Sequence, residues 1–320
     1  MKASLNLGTK LAILVICAIF FGATMVALSV RSHSARESES YDLGGDKKVE
    51  KTFSVQPGGK LLVDADEGNI SITGSETSEI SVKVFARGSD ELLRKFDVKF
   101  DQEGNTVKVQ GRLRHRYFNF FGNNDLDVQF EIQIPTKFNL DLRTSGGNIA
   151  VENMTGTIEG ETSGGNLDLI KLDGNVKLST SGGNIALRQT TGDFQLETSG
   201  GNIHGETIIG DTHVETSGGN IELRDVDGKL YASTSGGDIR AELKDNKGID
   251  LSTSGGNLTV RLPKSISGDV RAEATGGDVS CDFQFAGKLK DGSMHGKING
   301  GGNLIRLETS GGDIVINSVE

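Results

Sequence analysis

Thr144-Ser145-Gly146-Gly147-Asn148 returns almost unchanged through the C-terminal half of the chain, and its spacing decides the fold. The first residue of the pentapeptide falls at Thr144, Thr162, Thr180, Thr198, Thr216, Thr234 and Thr253, a period of 18 that becomes 19 at the last step. Degenerate copies follow at Ala274 to Asp278 and at Asn299 to Asn303, and a clean copy ends at Asp313. A fixed period of this kind marks a repeat architecture. Each Gly-Gly-Asn leads into apolar-x-apolar, as in Ile185-Ala186-Leu187, then polar residues, a glycine such as Gly192, and a second alternation, Phe194-Gln195-Leu196. Period-2 alternation marks strands with one buried face, and the Gly, Asn, Asp and Ser clusters mark bends. A coil of 18 residues has room for two short strands and two turns but no crossover helix. Equivalent strands must therefore stack parallel, and the expected fold is all-β, a right-handed parallel β-solenoid.

Aligned coils give the interior. After the Asn or Asp come Ile149, Leu167, Ile185, Ile203, Ile221, Ile239, Leu258 and Val279, with Val151, Leu169, Leu187, Gly205, Leu223, Ala241, Val260 and Cys281 two residues on. The second strand supplies Val176, Phe194, Leu230 and Ile249, then Leu178, Leu196, Val214 and Leu251. The glycine pair is expected to turn the corner with φ > 0. The next residue forms a column of amides and acids: Asn148, Asn166, Asn184, Asn202, Asn220, Asp238, Asn257, Asp278, Asn303 and Asp313. At a strand spacing of about 4.8 Å such side chains can bond to one another, so this ladder reads as structural. Farther along the strand Arg188, Glu206, Arg224, Glu242 and Arg261 alternate in sign, an arrangement that would favour one register.

Outside the repeats the chain divides by composition. Residues 1–10 read as a cytoplasmic N-terminus, and Leu11 to Val30 are 20 residues without a charge. As a helix they would span about 30 Å, enough for a bilayer core, so residues 11–30 are expected to be an uncleaved transmembrane signal-anchor, with Ala27-Leu28-Ser29 as the cleavage alternative. Cys17 lacks the small preceding residue of a lipidation site, since Ile16 stands there. Residues 31–50 are polar and suit a flexible linker. Residues 51–142 alternate without the strict repeat, as in Ile80/Val82/Val84, and are expected to cap the solenoid formed by residues 143–320.

One basic and aromatic stretch interrupts the cap, running from Arg112 to Gly122. Arg114, Arg116, Tyr117, Phe118, Phe120 and Phe121 are its candidate partner-binding residues, the alternative being that the aromatics fold back over the open end of the solenoid. Near the C-terminus the repeat spacing stretches, so residues 283–297 are expected to bulge as a loop. The end of the stack would then be capped by residues 283–300 or would pair with another copy through its free strand edges.

Chemistry is sparse. A formal charge of −10 argues against nucleic-acid binding. No catalytic set is present, His204 and His213 lie on different strands, and no cofactor or metal is implied. Calcium-binding nonapeptides need half this period and a Gly-x-Asp that is missing. Glu197 and Glu215 stack on neighbouring coils and imitate a glycosidase pair, without aromatic or basic subsites in their own column.

These residues resemble the bacterial DUF4097 family, whose members are provisionally described as adhesins with β-strand repeats. The resemblance rests on Phe53-Ser54-Val55-Gln56-Pro57-Gly58-Gly59, Gly68-Asn69-Ile70-Ser71-Ile72, the Ile134-Pro135 strand end and the serial Thr-Ser-Gly-Gly copies, across about residues 53 to 318. It implies an extracytoplasmic envelope protein and carries over no catalytic residue. The expected function is a non-enzymatic, membrane-anchored adhesin or binder of an envelope protein or glycan. A self-assembling or envelope-stress module and a carbohydrate-active enzyme are the alternatives.

Overall fold

The computed structural model describes residues 37–42, 48–114 and 126–320. Among these, two long sheets face each other across one aliphatic core, one of 15 strands and one of 13. In the repeat region the first is built of five-residue strands such as Ile158–Thr162, Val176–Thr180 and Phe194–Thr198. The second is built of seven-residue strands such as Ile149–Thr155, Leu167–Asp173 and Ile185–Thr191. They are called here the short-strand and long-strand sheets. From Asn139–Thr144 to Leu258–Pro263 the strands pair in parallel with their equivalents in the neighbouring coils, as Ile185↔Ile203 and Phe194↔Thr212 show. The expected inward columns are buried, Ile149, Leu187, Leu196 and Leu251 among them at 1% exposure or less. Cys281 departs from its column. It ends a three-residue edge strand, Val279–Cys281, and is only half-buried.

A third inward column appears where polar linkers were expected. Asn153, Lys171, Gln189, Thr207 and Asp225 all take left-handed backbone angles, with φ between 52° and 60°. Such angles cost about 1–2 kcal/mol outside glycine. Repeated in register, they bend the long strand and swing Met154, Leu172, Thr190, Ile208 and Val226 into the core.

The corners work differently from expectation. No Gly of the Thr-Ser-Gly-Gly pairs has φ > 0; the left-handed glycines are those of the other corner, such as Gly192 at 128°. The second glycine of each pair is needed for closeness, since a Cβ on Gly183 would lie 1.9 Å from the carbonyl oxygen of Gly165 in the preceding coil. Beside it the buried Thr180 hydroxyl donates to that same Gly165 carbonyl at 2.8 Å and accepts from its own Gly183 N–H at 3.3 Å. The pattern recurs from Thr162 to Thr253 and again at Thr309. In the amide column the side chain accepts from the next backbone rather than chiefly from the next side chain: Asn184 N–H to Asn166 Oδ1 and Asn202 N–H to Asn184 Oδ1 are both 2.8 Å. An acceptor is all this requires, which is why Asp238 and Asp313 serve as well as Asn, while Asp278 ends the ladder by donating its N–H to Asp313. Asn303 is outside the ladder, its amide donating to the Asn246 carbonyl instead.

The charged column is in register only in part, and its ion pairs run elsewhere. Arg188 meets Asp168 at 2.7 Å and Arg224 meets Glu222 at 2.5 Å, while Arg261 and Glu242 alone approach along the column, at 3.8 Å. A register shift after Leu223 displaces the Arg224 step.

Both ends of the stack depart from sequence order. The coil of Lys60–Ala65 and Asn69–Ser75 lies between the coil of Asn139–Thr144 and Ile149–Thr155 and the strands Thr106–Leu113 and Asp127–Pro135. Antiparallel strands then cover that end, Phe96–Glu103 on one sheet and Glu79–Arg87 with Lys48–Ser54 on the other. At the other end the last copy, Leu304–Thr309 and Ile314–Val319, inserts between the coil of Ile249–Thr253 and Leu258–Pro263 and the coil of Gly268–Ala274 and Val279–Cys281. Residues 283–297 are no loop: Phe285–Lys290 and Ser293–Ile298 form an antiparallel hairpin that extends the short-strand sheet past Gly268–Ala274. Glu37–Asp42 and the start of Lys48–Ser54 are strands within the stretch expected to be a flexible linker. The apolar stretch of residues 11–30 lies outside the described residues, among which no helix is long and apolar enough to cross a membrane.

Three outcomes follow for stability. Gly183→Ala lowers it by at least about 3 kcal/mol, whereas Gly182→Ala, whose Cβ would meet nothing closer than 3.8 Å, stays within about 1 kcal/mol of the parent; equal thermal midpoints would contradict the close-approach argument. Thr190 is 1% exposed and its hydroxyl has no partner among the described residues. Thr190→Val therefore stabilises by about 1 kcal/mol in denaturant titration. The Asn257 N–H, helped by Arg240, holds the Asp238 carboxyl below its ordinary value. A carboxylate depressed in the fold contributes stability above its unfolded pKa of about 3.9, and that contribution is lost as pH falls. Asp238→Asn, which keeps an acceptor without a titrating proton, loses less stability than the parent on acidification from about pH 5 to 3.

Candidate functional site

On a five-residue strand the first, third and fifth residues enter the core, so the second and fourth face out. The second positions form one outward column in register: Glu159, Lys177, Gln195, His213, Tyr231 and Asp250. Between this column and the neighbouring corner runs an open groove of about 730 Å³ that crosses six coils. Its corner side carries Asn175, Asp193, Asp211, Lys229 and finally Gly248, where the side chain is missing altogether. Leu304, one of the few exposed large apolar residues among those described, at 51%, closes the far end.

At the centre the rings of His213 and Tyr231 stack with centroids 4.2 Å apart and planes 19° from parallel. Adjacent strands are spaced by about 4.8 Å, so the stack runs from coil to coil. One face of Tyr231 is thus covered by His213 and the other turns toward Asp250. His213 Nε2 is 2.9 Å from Glu215 Oε1, which fixes the imidazole plane. Asp211 lies 3.7 Å from Lys229 Nζ, and Asp250 is 3.6 Å from Arg306. Burial nonetheless pushes the Asp250 carboxyl up from its ordinary range against the pull of Arg306, and the nearby Glu308 charge adds to the rise. On the other side of the same face a second hollow of about 580 Å³ is lined by Ser and carboxylate side chains, including Glu161, Glu197 and Glu215.

The sequence aligned inward columns and passed over this outward one. The signal was available: His213 and Tyr231 are one period of 18 apart, and equal positions on successive coils must be neighbours. Glu197 and Glu215 do stand in register. Each carboxylate is engaged, Glu197 by Gln195 Nε2 at 3.1 Å and Glu215 by His213. His204 faces out of the opposite sheet with Glu222 at 3.8 Å. Among the described residues no cluster of three or more His, Cys, Asp or Glu could hold a metal ion.

Of the basic and aromatic stretch, only its stem is described. Arg112 bonds Asp64 and Asp66, the second at 3.0 Å, and Asp64 holds its guanidinium still more firmly protonated. Arg114, the one candidate contact residue in the described part, pairs with the buried carboxylate of Asp97. Arg116, Tyr117, Phe118, Phe120 and Phe121 lie outside the described residues.

The chain is similar to a crystal structure from Clostridium sporogenes, provisionally named a cell adhesion protein, at 16% identity over 85% of this chain and 100% of that one, with a TM-score of 0.25. It is also similar to structures provisionally named adhesins from Parabacteroides distasonis, at 12% identity over 85% and 98% of the two chains, and from Bacteroides fragilis, at 14% over 86% and 99%. The TM-score is 0.38 for both. Among curated proteins no sequence matches the chain. The family model described as Toastrack DUF4097 matches residues 59–317, and the chain belongs to that family.

Proposed function

We propose that this chain is a non-enzymatic, extracytoplasmic binder of the bacterial cell envelope, with the groove of the short-strand sheet as its contact face. The observation that carries this reading is the groove itself: an open, six-coil depression with exposed, chemically varied side chains on a backbone fixed at every coil. Rigid scaffolds that vary only in outward residues suit recognition, because little conformational entropy is lost on binding. The uncharged stretch Leu11 to Val30 supports attachment to the cytoplasmic membrane, with the β-solenoid outside the cytoplasm. Carboxylates paired with amide and imidazole groups favour contact over catalysis at Glu197 and Glu215.

End-to-end assembly through strand edges is disfavoured. The edge strand Phe285–Lys290 presents Lys288 and Lys290, and charged side chains at an edge oppose pairing with another chain. The test is capture of envelope material from intact cells by the full-length chain in detergent. Capture is expected, and the triple variant Lys177→Ala/His213→Ala/Tyr231→Ala is expected to lose most of it with an unchanged circular dichroism spectrum. Capture equal to the parent would remove the groove from the contact, and no capture by either would overturn the binder reading.

A further inference from the structure

We infer that the groove takes an uncharged glycan, a hexose or N-acetylhexosamine segment of an envelope polysaccharide, with one sugar ring seated on the free face of Tyr231; this rests on the reading of the groove as the contact face. Tyr231 is backed on one side by His213 and is therefore held upright as a wall. On its other side the next outward residue is Asp250 and the next corner residue is Gly248, so the wall drops into a slot. The far side of that slot is Arg306, in register with Asp250, together with Leu304. Two strand steps separate Tyr231 from Arg306, about 9.6 Å, and the side chain between them is the short one of Asp250, so the taller Tyr231 and Arg306 flank the place where a ring would sit above it.

The chemistry of the slot matches a sugar. A pyranose has an apolar face of C–H bonds and a rim of hydroxyls. The negative face of a phenol ring attracts the former. The carboxylate at the floor of the slot, Asp250, accepts from the latter. Small-ligand sites commonly combine an aromatic surface with a few polar groups of this kind.

Charge selects among glycans. The groove and its far wall hold Glu159, Asp193, Asp211 and Asp250 against Lys177, Lys229 and Arg306, an excess of one negative charge. The neighbouring hollow adds Glu161, Glu197 and Glu215, and the whole chain carries −10. Phosphate- or uronate-bearing polymers would meet this field unfavourably, whereas an uncharged chain pays no such penalty.

The chain contains no Trp and three Tyr, so Tyr231 can be made its only strong emitter by Tyr41→Phe/Tyr117→Phe. With that full-length variant in detergent, chitohexaose and laminarin are the uncharged probes and polygalacturonate is the anionic one. Saturable change of Tyr231 emission is expected with at least one uncharged probe and not with polygalacturonate. In affinity electrophoresis of the parent background, Tyr231→Ala is expected to weaken that binding about tenfold, and Tyr231→Phe, which keeps the ring, to retain it. Binding of polygalacturonate as tight as that of the uncharged probes, or Tyr231→Ala binding like the parent, would overturn the assignment. Failure of both uncharged probes while envelope capture persists would overturn the glycan and leave the binder reading standing; loss of capture as well would remove both.

Discussion

One threonine hydroxyl in nearly every coil ties the tight corner to the coil before it. It donates to the carbonyl of a glycine in the coil before and accepts from a glycine N–H in its own, as Thr198 does toward Gly183 and Gly201. The corner is dry, with these threonines 3–6% exposed, so a missing partner there would cost about 1–3 kcal/mol. The same close approach excludes a side chain at the second glycine. Thr and Gly are therefore two halves of one constraint, and it explains why those two residue types recur while the serine between them faces out.

The corner also relieves the other columns of the task of fixing register. The alternating charges seemed suited to it in the alignment, yet Arg188 and Arg224 turn to Asp168 and Glu222. Exposed ion pairs contribute little and follow the local geometry. A column of backbone N–H to Asn or Asp side-chain bonds already binds each coil to the next from Asn69 to Asp278, passing through Asp313. Outward residues are consequently free to vary, and the groove is made from that freedom: a histidine, a tyrosine and an absent side chain at Gly248 fall where the repeat imposes nothing.

The ends follow a different principle. A stack of parallel strands exposes its core and its strand edges at both termini. Here the first coil and the last coil each sit one place in from the end, held on both sides, and antiparallel strands finish the stack except in the long-strand sheet at the C-terminal end, whose edge is the short parallel strand Val279–Cys281. Tucking the terminal segments inward buries Ile314 and Ile316 completely, where a final exposed coil would have left them open on one side.

Much of this was legible from residues alone. The period of 18 fixed parallel stacking, and alternation fixed which aliphatics face inward, because both depend only on a residue's neighbours one coil away. The family likeness was visible in the same copies. The third inward column was hidden, since Lys171, Gln189 and Thr207 carry no sign of a left-handed turn and adopt it only because each coil repeats the one beneath. The insertion of Leu304–Val319 between two earlier coils, the hairpin at 285–298 and the slot beside Tyr231 were likewise decided by tertiary structure. Their cause is the free energy of covering open core and strand edges, a property of the assembled stack that no local pattern encodes.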